Sequence, residues 1–270
     1  MQKKNNKPVQ KVVKPYLTGA VTDENTKMNV LKLFGVFVLI FAMTFIVCMM
    51  TGFASGIFHI LINLAIELLV LFILYNSGSS KGAEAVARGE ILYQRREKGQ
   101  EFTPAEQRLS FHPAKGFLCA VLALVPVLIC AVVLAITAKR QITGFGVLPS
   151  WMDAYKARSE IGGALAAYTT TRPASLTDIL RIIVRICIMP FVSMAGTEDS
   201  RTMLMIERLS PGLLLLPAIA YGAGYLSGRN VRTRIHTEIS ENRKKRAKKE
   251  KKIRMARRTE SRPRGPEQLN

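Results

Sequence analysis

The chain has 270 residues, is 49% hydrophobic and carries a formal net charge of +20. A compact soluble domain mixes charge along its length, whereas here charge and apolarity fall into separate blocks, which excludes an ordinary soluble globular fold. Residues 33–50, 116–138 and 209–228 contain no charged residue, and residues 52–75 contain only Glu67. Each block is about 18–24 residues long, enough for a helix to cross a hydrocarbon layer of about 30 Å. Helices buried in a soluble core average about 11–12 residues and keep a polar face. The expected fold is therefore all-α, a polytopic integral membrane helical bundle.

Residues 1–28 hold six lysines against Asp23 and Glu24, with Pro8 and Pro15, and read as a flexible basic tail. The first apolar run lies behind this tail and is longer than a signal h-region, so it is expected to stay as a permanent anchor. Residues 29–76 read as a transmembrane hairpin, with span one over 29–50, a tight turn at Thr51, Gly52 and Phe53, and span two over 54–76. Lys32 is placed to snorkel at the start of span one. "NSGSS" at 76–80 is expected to break the helix. Residues 77–115 then form amphipathic segments, a helix over 81–98 and a second one announced by "TPAE". There Thr103 is the N-cap, Pro104 the first helical residue and Glu106 the reciprocal cap, and Pro113 stops the helix. Span three covers 116–138, with a kink expected at Pro126.

The segment 139–208 reads as extracytoplasmic or interfacial. "LPSWMD" offers Ser150 as a cap with Asp153 three residues on, predicting a helix over 151–169. Trp151, Tyr155, Ile161, Leu165 and Tyr168 gather on one side of it, as suits a membrane–water interface. "SLTD" repeats the cap with Ser175 and Asp178, ahead of a partly embedded helix over 176–195 that contains Arg181 and Arg185 and is interrupted by Pro190. Two arginines near a helix centre cost about 2.5–3.5 kcal/mol each on insertion, against roughly 0.3–0.6 kcal/mol returned per apolar residue. The expectation is four full spans plus this one re-entrant or interfacial helix, with a five-span form as the alternative. A short helical piece around 199–207 and a span over 209–228 opened by Ser210 and Pro211 follow. The polybasic tail, 229–270, carries 16 Lys or Arg against five Glu. Val231, Ile235 and Ile239 prolong the last helix briefly, and disorder is expected beyond Pro263.

Basic flanks stay on the cytoplasmic side. The N-terminal tail, the seven basic residues of 77–115 and the C-terminal tail all carry that mark, which predicts a multi-pass cell-membrane protein with both termini cytoplasmic.

"FHILINLAIELL", residues 58–69, raises the chemical question. His59, Asn63 and Glu67 recur every four residues and share one helix side. An ionisable group at that depth should face protein, water or an opposite charge. Glu67 is expected to pair with Arg185 or Arg181, and His59 and Asn63 to continue an intramembrane polar seam. The seam reads first as interhelical glue, worth about 0.6 kcal/mol per hydrogen bond, and second as a proton or ion path. In the last span Ala220, Gly224 and Gly228 offer a small-residue packing face, either internal or for self-association.

Arg243, Lys244, Lys245, Arg246, Lys248, Lys249, Lys251 and Lys252 are the candidate lipid- or RNA-contacting residues. Anionic lipid headgroups are the favoured partner at about 1 kcal/mol per basic residue. Residues 229–270 contain no Phe, Trp or Tyr, so base stacking is unsupported and nucleic acid is the disfavoured partner.

No catalytic residue, cofactor or metal is expected. Ser55 and His59 do not make a nucleophile and base on spacing alone, "GFASG" is not a GxSxG elbow, and HExxH and phosphate-loop patterns are absent. His59 and Asn63 form an HxxxN without the paired-glutamate and FxxxH partners of intramembrane glutamate proteases. His59, His112 and His236 are scattered. Cys48, Cys119, Cys130 and Cys187 lie in apolar segments as small fillers. The expected function is non-enzymatic, a structural or assembly partner in the cytoplasmic membrane, in contact with lipid and with other membrane proteins. The alternatives are a transport component using the Glu/His seam, and an insertion factor with an RNA-contacting tail.

Overall fold

The computed structural model describes residues 12–53, 56–139, 150–162, 175–195 and 200–260. All regular structure among them is helical. The helices are α1 (Thr26–Met50), α2 (Gly56–Glu97), α3 (Pro104–Arg108), α4 (Lys115–Thr137), α5 (Asp153–Lys156), α6 (Leu176–Cys187), α7 (Met189–Ala195) and α8 (Ser200–Glu260). Four of them, α1, α2, α4 and α8, are long and apolar enough to span a membrane. They alternate in direction between two ends. One, the basic end, gathers residues 12–25, the second half of α2, α3 and the second half of α8. The other, the far end, gathers the α1–α2 turn, the close of α4 and the starts of α6 and α8.

The bundle is apolar inside and outside. Phe37, Leu74, Leu124, Leu134, Val184 and Leu214 are buried in one continuous core. Leu39, Ile46, Leu68, Phe72 and Ile136 are exposed on its flanks. A helix that is hydrophobic all round suits an apolar solvent.

The turn between α1 and α2 is as short as expected, a 3-10 turn over Thr51–Phe53. Gly56 opens α2 at φ +62°, a left-handed conformation that glycine adopts without steric cost. Two breaks expected from the sequence do not occur. α2 runs unbroken through 76–80, because Gly78 and Gly82 are where the backbone of α8 comes closest and tertiary contact outweighs their poor helix propensity. α8 runs unbroken through Pro211, so the piece at 199–207 and the last span are one helix. Pro211 has no N–H for the carbonyl of Glu207, and the Ser210 hydroxyl donates to that carbonyl at 2.7 Å instead. The same helix continues well past Ile239, to Glu260. The tail beyond 260, with the disorder expected there, lies outside the described residues.

Two of the three expected capping boxes form, and the Ser150–Asp153 one does not, since Ser150 lies inside a 3-10 turn and Met152 caps the helix that starts at Asp153. Thr103 Oγ1 accepts from Glu106 N–H and Thr103 N–H donates to Glu106, each at 3.3 Å. Asp178 Oδ2 accepts from Ser175 N–H at 3.1 Å. The helix expected over 151–169 is only a 3-10 turn at Ser150–Met152 followed by α5, and 163–169 lie outside the described residues. Trp151 and Tyr155 do pair there edge to face at 6.2 Å, with the Arg158 guanidinium 4.9 Å above the Tyr155 ring.

The segment 176–195 is two helices, broken at Ile188, ahead of Pro190. α6 is about 18 Å long, too short to cross a bilayer. It starts near Lys139 at the far end and reaches the level of Glu67, where Ile188 lies. Four residues separate α7 from α8, so α7 has to lead back to the far end.

Residues 12–22, expected to be a flexible tail, lie as a strap across the basic end. Val12 N–H donates to Thr237 Oγ1 at 3.1 Å, Leu17 N–H to Gly89 C=O at 3.1 Å and Gly19 N–H to Phe111 C=O at 2.9 Å. Tyr16 packs on Phe111, and Phe111 stacks on Tyr225. The prolines that argue against a helix are compatible with this extended, docked path.

Candidate functional site

Three polar clusters are set into the apolar bundle. The first is built on α6 and α8 at the far end. Arg181 and Arg185 are four residues apart and point to the same side of α6, toward Glu207 on α8. Arg181 Nε donates to Glu207 Oε1 at 2.6 Å and a terminal nitrogen to Oε2 at 3.0 Å, a bidentate fork. Arg185 Nε also donates to Oε1, at 3.0 Å. Arg181 reaches Lys139 C=O at 3.2 Å and lies 3.5 Å from Asp178. Glu207 is 1% exposed. Two cations and two anions thus balance, with only Asp178 open to the outside. The expected pairing of Glu67 with Arg185 or Arg181 is replaced by this triad, because both arginines face α8.

The second is the seam on α2. The structure places His59 half-buried, Asn63 fully buried and Glu67 buried, on one face, as the four-residue spacing predicts. Asn63 Nδ2 donates to His59 C=O at 2.8 Å, one turn back along the same helix. Among the described residues no hydrogen bond of the seam joins two helices. Asn63 Oδ1 is buried without a partner, and Glu67 has no hydrogen-bond or ion-pair partner among the described residues.

The third lies where α2 and α8 run parallel into the basic end. A Cβ at Gly78 or Gly82 would strike the Tyr221 or Tyr225 carbonyl, and one at Gly224 or Gly228 would strike the backbone at Tyr75 or Gly82 and Ala83. Ala220 packs half-buried against the core. The small-residue face is an internal packing face. Beyond it, Glu90 on α2 is buried and accepts from Arg232 Nε at 3.0 Å and from His236 Nε2 at 2.8 Å. Asp23 and Lys115 form a further buried ion pair under the strap, and Lys115 also donates to Arg108 C=O at 3.2 Å. Burial pushes the Asp23 carboxyl up, but the hydrogen bonds from Lys115 and Thr26 and the Lys115 charge outweigh it and hold the group below its ordinary value of 3.8.

Past this brace the residues of α8 up to Met255 are largely exposed. Arg243, Lys244, Lys245, Arg246, Lys248, Lys249, Lys251 and Lys252 are all exposed, on every side of the helix.

Sequence reasoning missed Glu207 and Glu90. Glu207 is the acid in "MLMIERL", and its signal was a demand: two arginines in an apolar stretch require an anion. Glu90 falls within the apolar side of 81–98, among Val86, Ile91 and Leu92, where an unpaired carboxylate would be costly. Among the described residues, no group of His, Cys, Asp or Glu converges to hold a metal ion. No family model, curated protein or solved structure matches the chain.

Proposed function

We propose that this is a non-enzymatic, multi-pass membrane anchor that holds a rigid basic helix in the cytoplasm for the phosphate backbone of folded RNA. In this reading the four long helices cross the cell membrane, α6 and α7 form a re-entrant hairpin from the outer side, and both termini are cytoplasmic. The basic flanks support that orientation.

The observation that carries the reading is the continuity of α8 from its apolar half into its basic half, braced against α2. The apolar part of α2 from Gly56 to Tyr75 is about 30 Å long, the thickness of the hydrocarbon core. Gly224 packs at the level of Tyr75. From there to Arg243 is about 28 Å along the helix. Headgroups take up roughly 6 Å of that distance. The remaining ~20 Å exceeds two Debye lengths of about 8 Å at physiological salt. The cluster therefore stands too far out for the leaflet's charge to act on it strongly, which turns against the lipid partner favoured by composition alone. It also lacks the apolar face that an in-plane helix needs.

Residues 243–254 carry nine Lys or Arg against Glu250. Spread over about 18 Å of helix, that is roughly one net charge per 2 Å, close to the ~1.7 Å charge spacing of a nucleic-acid duplex. The lack of aromatic residues fits phosphate contact without base reading.

The test uses full-length protein in nanodiscs of zwitterionic lipid and a fluorescent double-stranded RNA. Binding should weaken linearly on a log–log salt plot. Changing Arg243, Lys244, Lys245, Arg246, Lys248 and Lys249 to Gln should weaken it at least ~100-fold at low salt. No binding at low salt, equal binding by the substituted protein, or an effect of the substitutions only on anionic-lipid association would each refute the reading.

A further inference from the structure

Glu67 sits about 16 Å along α2 from its start at the far end. Its carboxyl borders a small cavity of about 10 Å³, lined also by Thr44, Ile188, Leu213, Leu214 and Pro217. That is room for about one water. The site has polar equipment for one. Pro217 has no N–H, so the Leu213 carbonyl on α8 loses its helical donor. The Thr44 hydroxyl comes from α1. Of the elements packed around Glu67, α1 faces it with Cys48 and α6 ends beside it in Cys187, while α7 and α8 supply only Phe191, Leu213, Leu214 and Pro217. Arg181 and Arg185 are engaged by Glu207.

The face of α2 that carries Glu67 differs in its two directions. Toward the far end come Asn63, with its unpartnered buried oxygen, and then half-exposed His59. Toward the basic end come Val70 and then Leu74, which is fully buried, and below them Gly78 closes on the α8 backbone. Polar groups therefore lead to Glu67 from one side only. An unpaired carboxylate in an apolar site is strongly disfavoured and takes up a proton instead.

We propose that Glu67 is a dead-end proton-binding site: its carboxylate takes a proton from water that enters from the outer side along the polar face of His59 and Asn63, one O–H breaking in the water as one forms on the carboxyl, holds it as the neutral acid, and returns it to water by the same route. No bond other than O–H is made, and no proton passes to the cytoplasm. This distinguishes the seam from a transport path. The inference rests on the membrane-spanning reading of α2 and is independent of the RNA partner.

The experiment treats oriented proteoliposomes of the full-length protein with dicyclohexylcarbodiimide, which attacks protonated carboxyls in apolar surroundings, and maps the adduct by mass spectrometry. An adduct should form on Glu67 and be absent from Glu67→Gln. Its yield should fall about tenfold or more as the outer pH rises from about 6 to about 9 with the inner pH clamped. The wild-type adduct and its pH response suffice even where the variant folds poorly. Absence of the adduct at both pH values, a yield that follows the inner pH, or a proton flux lost in Glu67→Gln would each overturn the proposal. Release of the protein from vesicles by alkaline carbonate would instead defeat the membrane reading beneath it.

Discussion

At Glu207 one side chain balances two buried guanidiniums, and its backbone carbonyl is held by Ser210 across the proline gap. Removing the carboxylate takes away the anion that lies between two buried guanidiniums. Glu207→Ala should therefore cost about 3–5 kcal/mol, read as a large fall in the thermal midpoint of the detergent-solubilised protein. Asp178 touches the same cluster from its exposed edge, and Asp178→Asn should cost less than about 1 kcal/mol. Equal losses from the two changes would mean that burial is not what sets the value of these pairs. Asp23 gives a pH signature at the opposite end. Its carboxyl titrates below its unfolded value, so its contribution to stability is fully present above about pH 5 and is lost as pH falls through the lowered native value. Wild-type stability should drop more steeply than that of Asp23→Asn between about pH 5 and about pH 3. Parallel curves would show that the Lys115 pair is not linked to folding.

The parallel contact of α2 with α8 depends on absent side chains. Gly82→Ala forces a methyl group against the Tyr225 carbonyl, and the helices must part, at about 1–3 kcal/mol. Gly35 on α1 has nothing within 4 Å of a built Cβ, so Gly35→Ala should leave the thermal midpoint unchanged or slightly raised. A loss at Gly35 as large as at Gly82 would point to helix-wide effects instead of this contact. The same contact marks the limit of what the sequence made legible. The positions of the four long helices, the α1–α2 turn, the capping boxes at Thr103 and Ser175 and the interruption near Pro190 could be read from apolar runs and local turn chemistry, whereas the Ser150–Asp153 cap misled. The continuity of α2 through "NSGSS" could not. Gly78 among four small polar residues reads locally as a helix breaker, and only a partner backbone makes it a packing surface. Pro211 misled in the same way, because its compensation by Ser210 is a tertiary detail. The seam His59, Asn63 and Glu67 was visible as a face of one helix. Its lack of a partner was not, since Glu207, the acid that engages the arginines, lay in a stretch assigned outside the spans.

Across the whole molecule, polar chemistry is confined to separate levels along the long helices. The Arg181–Glu207–Arg185 cluster sits at the far end, Glu67 is alone at mid-height, and Glu90 with Arg232 and His236 ties the helices at the basic end. Apolar packing separates Glu67 from the Glu90 cluster, with Leu74 fully buried in between. Charge is also sorted by environment. Buried charges at the two ends of the bundle are paired, while the positive charge of the chain accumulates on the exposed second half of α8.

The strap has a bearing on how the chain is made. Val12 takes its seat on Thr237, 225 positions later, so this contact forms only after that part of α8 has been made. Closure of the basic end by this contact is governed by long-range pairing and is slow to nucleate. The Leu17 and Gly19 contacts need only Gly89 and Phe111, so the strap is held in part before its Val12 end finds α8.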